Sequence, residues 1–140
     1  MPELLTNQYV LDASALLSTL YKDERESKHG QIITAIIKNP KNRLFCPSII
    51  RYEFGNNLRT SLKNGRLSFP EAKAFIKVFL KWPLKIFEVD LHTTLHLAIK
   101  YNTTYYDASY LSLSYAKNAQ LISIDKNLIR AFSSVQNNPS

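Results

Sequence analysis

Four short, mostly apolar runs recur along this chain, each separated from the next by one or two stretches of helical spacing. They cover Gln8 to Leu11, Arg43 to Cys46, Leu84 to Val89 and Ala119 to Ile124. Runs of that length and composition read as strands buried inside a sheet rather than as surface helices. Parallel neighbours in a sheet need a crossover, and the crossover is usually a helix. Strands alternating with helices throughout therefore define an α/β fold around a mostly parallel sheet.

The stretches between the runs carry their own start and stop signals. Ala13 to Leu20 reads as a helix entered from Asp12, and Asp23-Glu24-Arg25-Glu26 as a solvated connection. Ser27 to Lys38 places Ile32, Ile33, Ile36 and Ile37 at helical spacing, and Asn39-Pro40-Lys41-Asn42 is turn chemistry. A helix starting at Pro47-Ser48 runs to about Lys63, where Asn64-Gly65 stops it. Ser68-Phe69-Pro70-Glu71 is a capping box whose helix reaches Lys81 and is broken by Trp82-Pro83. Asp90 caps Leu91 to Lys100. Tyr105 to Lys117 is helical with Ala108, Leu111 and Tyr115 along one face. Asp125 caps a last helix to about Phe132, and Gln136 to Ser140 reads as a frayed tail. A length of 140 residues without an internal linker or repeat suits one domain, 1–140, with a core from about 8 to 132.

Against this frame four acids stand out: Asp12, Glu53, Asp107 and Asp125. Asp12 and Asp125 each follow a strand directly, Glu53 lies in the helix after the second strand, and Asp107 lies in the first turn of its own helix. In an open parallel sheet, sites form outside the carboxyl ends of the strands, and all four acids can point to that edge. Each alone has a plainer explanation. Asp12 and Asp125 suit helix N-caps, Asp107 with Thr104 suits a capping box, and Glu53 suits a helix surface. Glu53, however, sits among Ile49, Ile50, Phe54 and Leu58 rather than in polar company.

Two carboxylates ~4 Å apart repel by about 4 kcal/mol at an effective dielectric of 20. A cluster of four must then hold protons or hold cations, and hard oxygen ligands favour Mg²⁺ or Mn²⁺. Such ions accept phosphate oxygens and support in-line hydrolysis of phosphodiesters. Gly-rich nucleotide loops of the GxGxxG and GxxxxGK[ST] types are absent from the sequence.

The residues around these acids carry a resemblance. Tyr9-Val10-Leu11-Asp12-Ala13-Ser14-Ala15-Leu16-Leu17, Pro47-Ser48-Ile49-Ile50-Arg51-Tyr52-Glu53, Tyr106-Asp107-Ala108-Ser109-Tyr110-Leu111 and Leu121-Ile122-Ser123-Ile124-Asp125-Lys126-Asn127-Leu128 resemble, in order and spacing, the PIN domain family. The likeness is strongest to the toxin ribonucleases of VapBC-type toxin–antitoxin pairs, and it extends from about Tyr9 to Phe132. It implies a three-layer α/β/α sandwich with a central, mostly parallel sheet, bound Mg²⁺ or Mn²⁺, and endonucleolytic cleavage of RNA. It further implies a homodimer and a cognate antitoxin protein. By position, Asp12, Glu53, Asp107 and Asp125 become the metal-binding and catalytic acids. Ser14 becomes a hydroxyl that supports a carboxylate or a metal water. The same resemblance extends to PIN proteins of RNA processing or decay and to inactive RNA- or protein-binding modules. Two other phosphate-handling α/β classes fit less well. A haloacid-dehalogenase phosphatase needs a second Asp where Ser14 stands, and Ala13 interrupts the paired acids of a receiver domain.

The remaining features fit around that reading. With 18 Lys and Arg against 11 Asp and Glu, the net charge of +7 favours a phosphate-rich partner. Arg51, Arg59, Lys126 and Arg130 lie near the acids in sequence and suit phosphate contacts. Asn57, four residues after Glu53, is placed to orient it or to touch substrate. Tyr101, Tyr105, Tyr106, Tyr110 and Tyr115 suit core or dimer packing more than base stacking. Phe75, Ile76, Val78, Phe79, Leu80 and Trp82 exceed what one helix face buries and suggest a contact with a second copy or with the antitoxin. The single Cys46 falls in an apolar run and reads as a buried hydrophobe. His29, His92 and His96 form no triad or zinc pattern. No apolar run approaches the ~20 residues of a membrane span, and no secretory leader is evident, so a cytoplasmic protein is expected.

Overall fold

The computed structural model describes residues 4–137. Within them the order is β1 (Gln8–Leu11), α1 (Ala13–Ser18), α2 (Lys28–Lys38), β2 (Arg43–Pro47), α3 (Ile50–Lys63) and α4 (Phe69–Lys81). There follow β3 (Leu84–Phe87), α5 (Leu91–Lys100), α6 (Tyr105–Lys117), β4 (Gln120–Ile122) and α7 (Lys126–Asn137). The strands form one sheet in the order β3-β2-β1-β4. All three pairings are parallel, with Val10 opposite both Phe45 and Leu121 and with Cys46 opposite Ile86.

This order places the helices. The chain moves outward from β1 to β2 to β3, then returns to the other side of β1 as β4. Right-handed crossovers put α1 to α4 on one face and α5 and α6 on the other. The contacts agree: α1 packs on α2 and α3, while α5 packs on α6, and α6 also lies against β1, β2 and β4. The result is a parallel sheet flanked by helices, as expected. The reversal of direction between β1 and β4 is the topological switch point, where ligands of open α/β sheets bind.

The core explains why the elements hold. Val10, Leu11, Leu16, Leu44, Ile50 and Leu111 are all but fully buried. Phe54 of α3 packs on Phe79 of α4 with ring centroids 4.5 Å apart, and Trp82 closes edge-on against both. Cys46 is buried as expected, and burial pushes its thiol up to about 12. The capping box at Ser68 and the cap at Asp90 form as read from sequence, whereas Thr104 caps its helix without the reciprocal Asp107 side-chain bond of a capping box.

Several boundaries differ from the sequence reading, each for a local reason. The first helix ends at Ser18, not Leu20, because the Ser18 and Thr19 hydroxyls donate back to the Ala15 and Leu16 carbonyls at 2.6 and 2.7 Å. The α3 helix begins at Ile50 rather than Ser48. Pro47 stays in β2 opposite Phe87, and the Ser48 amide donates to the Phe87 carbonyl. The third and fourth strands stop at Phe87 and Ile122. The last helix continues to Asn137 because its buried face, Leu128, Ala131, Phe132 and Val135, extends past Phe132. Of the expected frayed tail, Gln136 and Asn137 are helical, and Asn138, Pro139 and Ser140 lie outside the described residues. The α6 helix is buried continuously from Ala108 to Ser114 rather than along one face, while Tyr115 is partly exposed. The Asp23–Glu26 connection is not merely solvated: Arg66 pairs with Asp23 and Glu24 and lies 3.6 Å over the Tyr21 ring.

Candidate active site

The carboxyl ends of β1 and β4 set the first two acids. Asp12 leaves β1, caps α1, and is only 6% exposed. Its Oδ1 accepts from the Ala15 amide at 2.9 Å and from the Ser14 hydroxyl at 2.7 Å. Its Oδ2 accepts from the Ser123 hydroxyl at 2.5 Å. The same two hydroxyls accept amides of the β4–α7 turn, Ser14 from Ile124 at 3.1 Å and Ser123 from Asp125 at 2.9 Å. Two serines thus lock the loop after β1 to the loop after β4, which is why β4 ends where it does. Asp125 caps α7: its Oδ1 takes the Asn127 and Leu128 amides at 2.9 and 3.4 Å.

The other two acids come from helices on opposite faces. Glu53 is in the first turn of α3, half-buried, and its Oε1 accepts from the buried Tyr110 hydroxyl of α6 at 2.6 Å. Asp107 is in the first turn of α6. Its amide satisfies the Thr104 cap, and its carboxylate accepts no hydrogen bond from the described residues. Both plain explanations offered by the sequence are therefore partly true. Asp12 and Asp125 do cap helices, yet Asp107 spends only its backbone on the cap.

The four acids feel one another. Burial, with the charges of Asp107, Asp12 and Asp125 added, raises Glu53 above the ordinary glutamate value, against the Tyr110 hydrogen bond that lowers it. Burial raises Asp107 as well, and Asp125 and Asp12 raise it further. Asp12 is raised by burial despite its three donors, with Asp125 adding to the effect. Among the described residues none of the four forms an ion pair, in a chain of net charge +7; the ion pairs run from Arg66 to Asp23 and Glu24.

This donor set can be tested against a metal. Among the described residues no group of three or more His, Cys, Asp or Glu side chains is drawn together closely enough to hold an ion by itself, as a structural zinc-type site requires. Mg²⁺ binds differently, through one or two carboxylates, water and substrate phosphate. The oxygens without a donor among the described residues, Glu53 Oε2, Asp125 Oδ2 and both of Asp107, suit an ion of that kind.

The other sequence candidates fall variously. Ser14 supports Asp12 directly, as expected. Asn57 does not reach the Glu53 carboxylate; its amide donates to the Glu53 backbone carbonyl at 2.9 Å, one helical turn back. Asn57 also lines an open cavity with Glu53, Tyr52 and Tyr106. Arg130 lines a cavity of about 360 Å³ with Asp107, Asn127 and Thr104. Arg51, Arg59 and Lys126 are exposed. Sequence reasoning missed Tyr110 as the partner of Glu53 and Ser123 as the partner of Asp12. Ser123 carried a usable signal, a hydroxyl two residues before a strand-end acid, mirroring Ser14 two residues after the other.

Four carboxylates at the switch point of a short parallel sheet, with Asp12 buried, Glu53 and Asp107 half-buried, Asp125 exposed and none in an ion pair among the described residues, define the class, and comparison with known proteins agrees. The PIN domain profile matches residues 9–132, and the chain belongs to the PIN domain family. It is 25% identical to ribonuclease VapC3 of Pyrobaculum aerophilum over 127 residues, 88% of this chain and 93% of that protein. It is likewise 25% identical to exonuclease VapC9 of the same organism over 122 residues, 87% of this chain and 84% of that one. Among solved structures, PAE2754 of P. aerophilum superposes with a TM-score of 0.67 at 24% identity, covering 99% of this chain and 92% of that chain. VapC20 of Mycobacterium tuberculosis, described as a sarcin–ricin loop cleaving toxin, superposes with a TM-score of 0.59 at 12% identity, covering 88% and 94%. The last two likenesses speak for the fold.

Proposed function

We propose that this chain is a Mg²⁺- or Mn²⁺-dependent endoribonuclease and the toxin of a toxin–antitoxin pair, acting as a single PIN domain with its core from about 8 to 132. The observation that carries the proposal is the convergence of Asp12, Glu53, Asp107 and Asp125 without a basic partner, three of them held toward protonation. Its relatives' names, ribonuclease VapC3 and exonuclease VapC9, support a nuclease. The net charge of +7 supports a nucleic-acid substrate.

Asp12, Glu53, Asp107 and Asp125 are the residues that would hold a divalent ion, and the ion would supply the positive charge on which phosphodiester hydrolysis depends. The protein's own residues divide the remaining work. Ser14, Ser123 and the Ala15 amide fix the Asp12 carboxylate, so it meets a ligand in one orientation. Tyr110 fixes one oxygen of Glu53 and leaves the other to the site. Two backbone amides do the same for Asp125. Asp107, whose carboxylate accepts no hydrogen bond from the described residues, is the acid best able to follow a ligand or to hold a proton during the reaction.

Exposed apolar side chains supply the partner surfaces. On α4, Ile76, Val78 and Leu80 stay exposed while Phe79 is buried; on α5, Leu95 and Ile99 form an exposed i, i+4 pair. We assign these faces to the homodimer and the antitoxin. Among the described residues no helix is long and apolar enough to cross a membrane, and we assign the protein to the cytoplasm as the compartment of the proposed RNA substrate.

The decisive variant is Asp12→Asn. An Asn can still accept from the Ala15 amide and the Ser14 hydroxyl, while Ser123 turns from donor to acceptor, so the fold survives. Cleavage of structured RNA in Mg²⁺ or Mn²⁺ should be lost with an unchanged circular-dichroism spectrum. Wild-type-like cleavage by this variant refutes the site.

A further inference from the structure

Each of two site acids is preceded by an exposed tyrosine. Tyr52 precedes Glu53 on α3 and is 76% exposed; Tyr106 precedes Asp107 on α6 and is 60% exposed. The two helices belong to opposite layers, yet Tyr52 and Tyr106 line the same two cavities. One, of about 540 Å³, is shared with Glu53, Asn56 and Asn57. The other, of about 200 Å³, is predominantly apolar and is also lined by Pro47, Val89, Leu91 and Glu88. Ile49 lines both. The rings therefore stand at the boundary between the acid site and an apolar pocket.

Such large apolar rings gain nothing from exposure to water, and no aromatic partner engages either of them among the described residues. No Lys or Arg lines either cavity, and the one charged group on the smaller pocket is the acid Glu88. A phosphate is therefore disfavoured there, whereas a flat, uncharged ring is favoured. The pocket's volume suits one ring system rather than a peptide segment. Bases of single strands stack on tyrosine, and stacking is tolerant of base identity because each base has a π-face.

We infer that Tyr52 and Tyr106 form a base-binding platform that holds one unpaired nucleobase of the RNA beside the phosphodiester at the four acids. The inference rests on the nuclease reading above and names the side chains that contact the base next to the cleaved bond. The two rings hold that base, and the acids act on the adjoining phosphate.

The test uses the full chain and a fluorescent single-stranded oligoribonucleotide, with binding read by anisotropy in EDTA so that cleavage does not intervene. Tyr52→Ala and Tyr106→Ala should each weaken binding by about 5- to 100-fold, the effect of losing one stacked base, whereas Tyr52→Phe and Tyr106→Phe should bind as wild type does. Both positions are exposed, so folding is little affected. Replacing one nucleotide of the strand by an abasic one, at one register, should weaken wild type by a similar factor and leave the alanine variants unchanged. Three results overturn the platform. One is alanine variants that bind within two-fold of wild type. Another is variants that lose intact and wholly abasic strands equally, which places the rings on the backbone. The third is variants that change only the sedimentation coefficient, which makes the face a protein contact. Cleavage in Mg²⁺ is measured separately. A wild type that binds through the rings but does not cut refutes the nuclease reading and leaves the platform standing.

Discussion

The Tyr110 hydroxyl donates to Glu53 Oε1 at 2.6 Å across 57 residues of chain, joining α6 on one face of the sheet to α3 on the other. Tyr110 is 1% exposed, so its ring is fixed by the core and its hydroxyl has one task. Burial, the charge of Glu53 and this hydrogen bond all raise the tyrosine, which stays a neutral donor. Tyr110→Phe keeps the packing and removes the donor. Stability should fall by about 1–2 kcal/mol in denaturant titration. With the donor gone, Glu53 is raised further, so the acid limb of the pH–rate profile should move to higher pH. A merely structural Tyr110 would leave that limb in place.

Ser123 serves both loops at once, donating to Asp12 Oδ2 and accepting the Asp125 amide. Ser123→Ala leaves a buried carboxylate oxygen without a donor and an amide without an acceptor. Ser14→Ala removes one of the two donors to Oδ1 and frees the Ile124 amide. The Ser123 variant should therefore be the worse in metal affinity, with Mn²⁺ binding measured calorimetrically as the readout. The expected loss in stability for Ser123→Ala is about 1–3 kcal/mol.

The strands and the acids were legible because they depend on local signals. Apolar runs mark buried strands, and an acid directly after such a run sits at the carboxyl edge wherever the sheet turns out to be parallel. Tyr110 was not legible in the same way. Its partner is 57 residues distant, and a tyrosine in a helix that is buried all round gives no periodic sign of which neighbour its hydroxyl meets. The boundaries of α1, α3 and β4 were misread for a related reason. They are set by Ser18, Thr19, Pro47 and Ser123 bonding to particular backbone groups, and propensity does not encode those choices. The basic side chains were the least legible, since charge in a sequence has no direction until the helices are placed.

The pH dependence of stability has a definite sign at this site. Asp12, Glu53 and Asp107 are raised above ordinary values of 3.8, 4.5 and 3.8. The folded state therefore binds their protons more tightly than the unfolded state. Their contribution is fully present below those ordinary values and is lost as the pH rises through the raised ones. Asp23, Glu71 and Asp90 are lowered and act the other way, below their ordinary values. In EDTA, thermal stability should thus decline as the pH rises above the ordinary carboxylate values toward neutrality. Asp107→Asn should flatten that decline, and Mn²⁺ should reverse it at pH 7 by binding the ionised acids. A wild type and an Asp107→Asn variant with parallel melting curves across this range would refute the assignment.

Gly30 separates fold from site. A Cβ built there would lie 2.3 Å from the Glu24 carbonyl oxygen, a backbone atom fixed by the turn that receives the Ser27 amide and hydroxyl. Gly30→Ala must move that turn or the start of α2. Stability should fall by about 1–3 kcal/mol, the range for overpacking. In urea, the midpoint should drop while kcat and KM measured well below it stay unchanged, because α2 carries none of the four acids.

Arg130 is the basic side chain with the clearest place beside the acids, exposed on α7 and lining the cavity that holds Asp107 and Asn127. That cavity is not lined by Tyr106, and much of its wall is polar: Asn102, Thr103, Thr104 and Ser134. A phosphate of the bound strand fits such a lining, and a guanidinium can bind it through two oxygens. Arg130→Ala should raise KM with little change in kcat, since the contact is present in the bound and reacting states alike. It should also reduce the slope of log affinity against log salt by about 0.7, the value for one lost contact on a single strand. Arg130→Lys should restore the salt slope but not the full affinity, because an ammonium replaces the charge without the paired donors. An unchanged salt slope in the alanine variant would place the strand elsewhere.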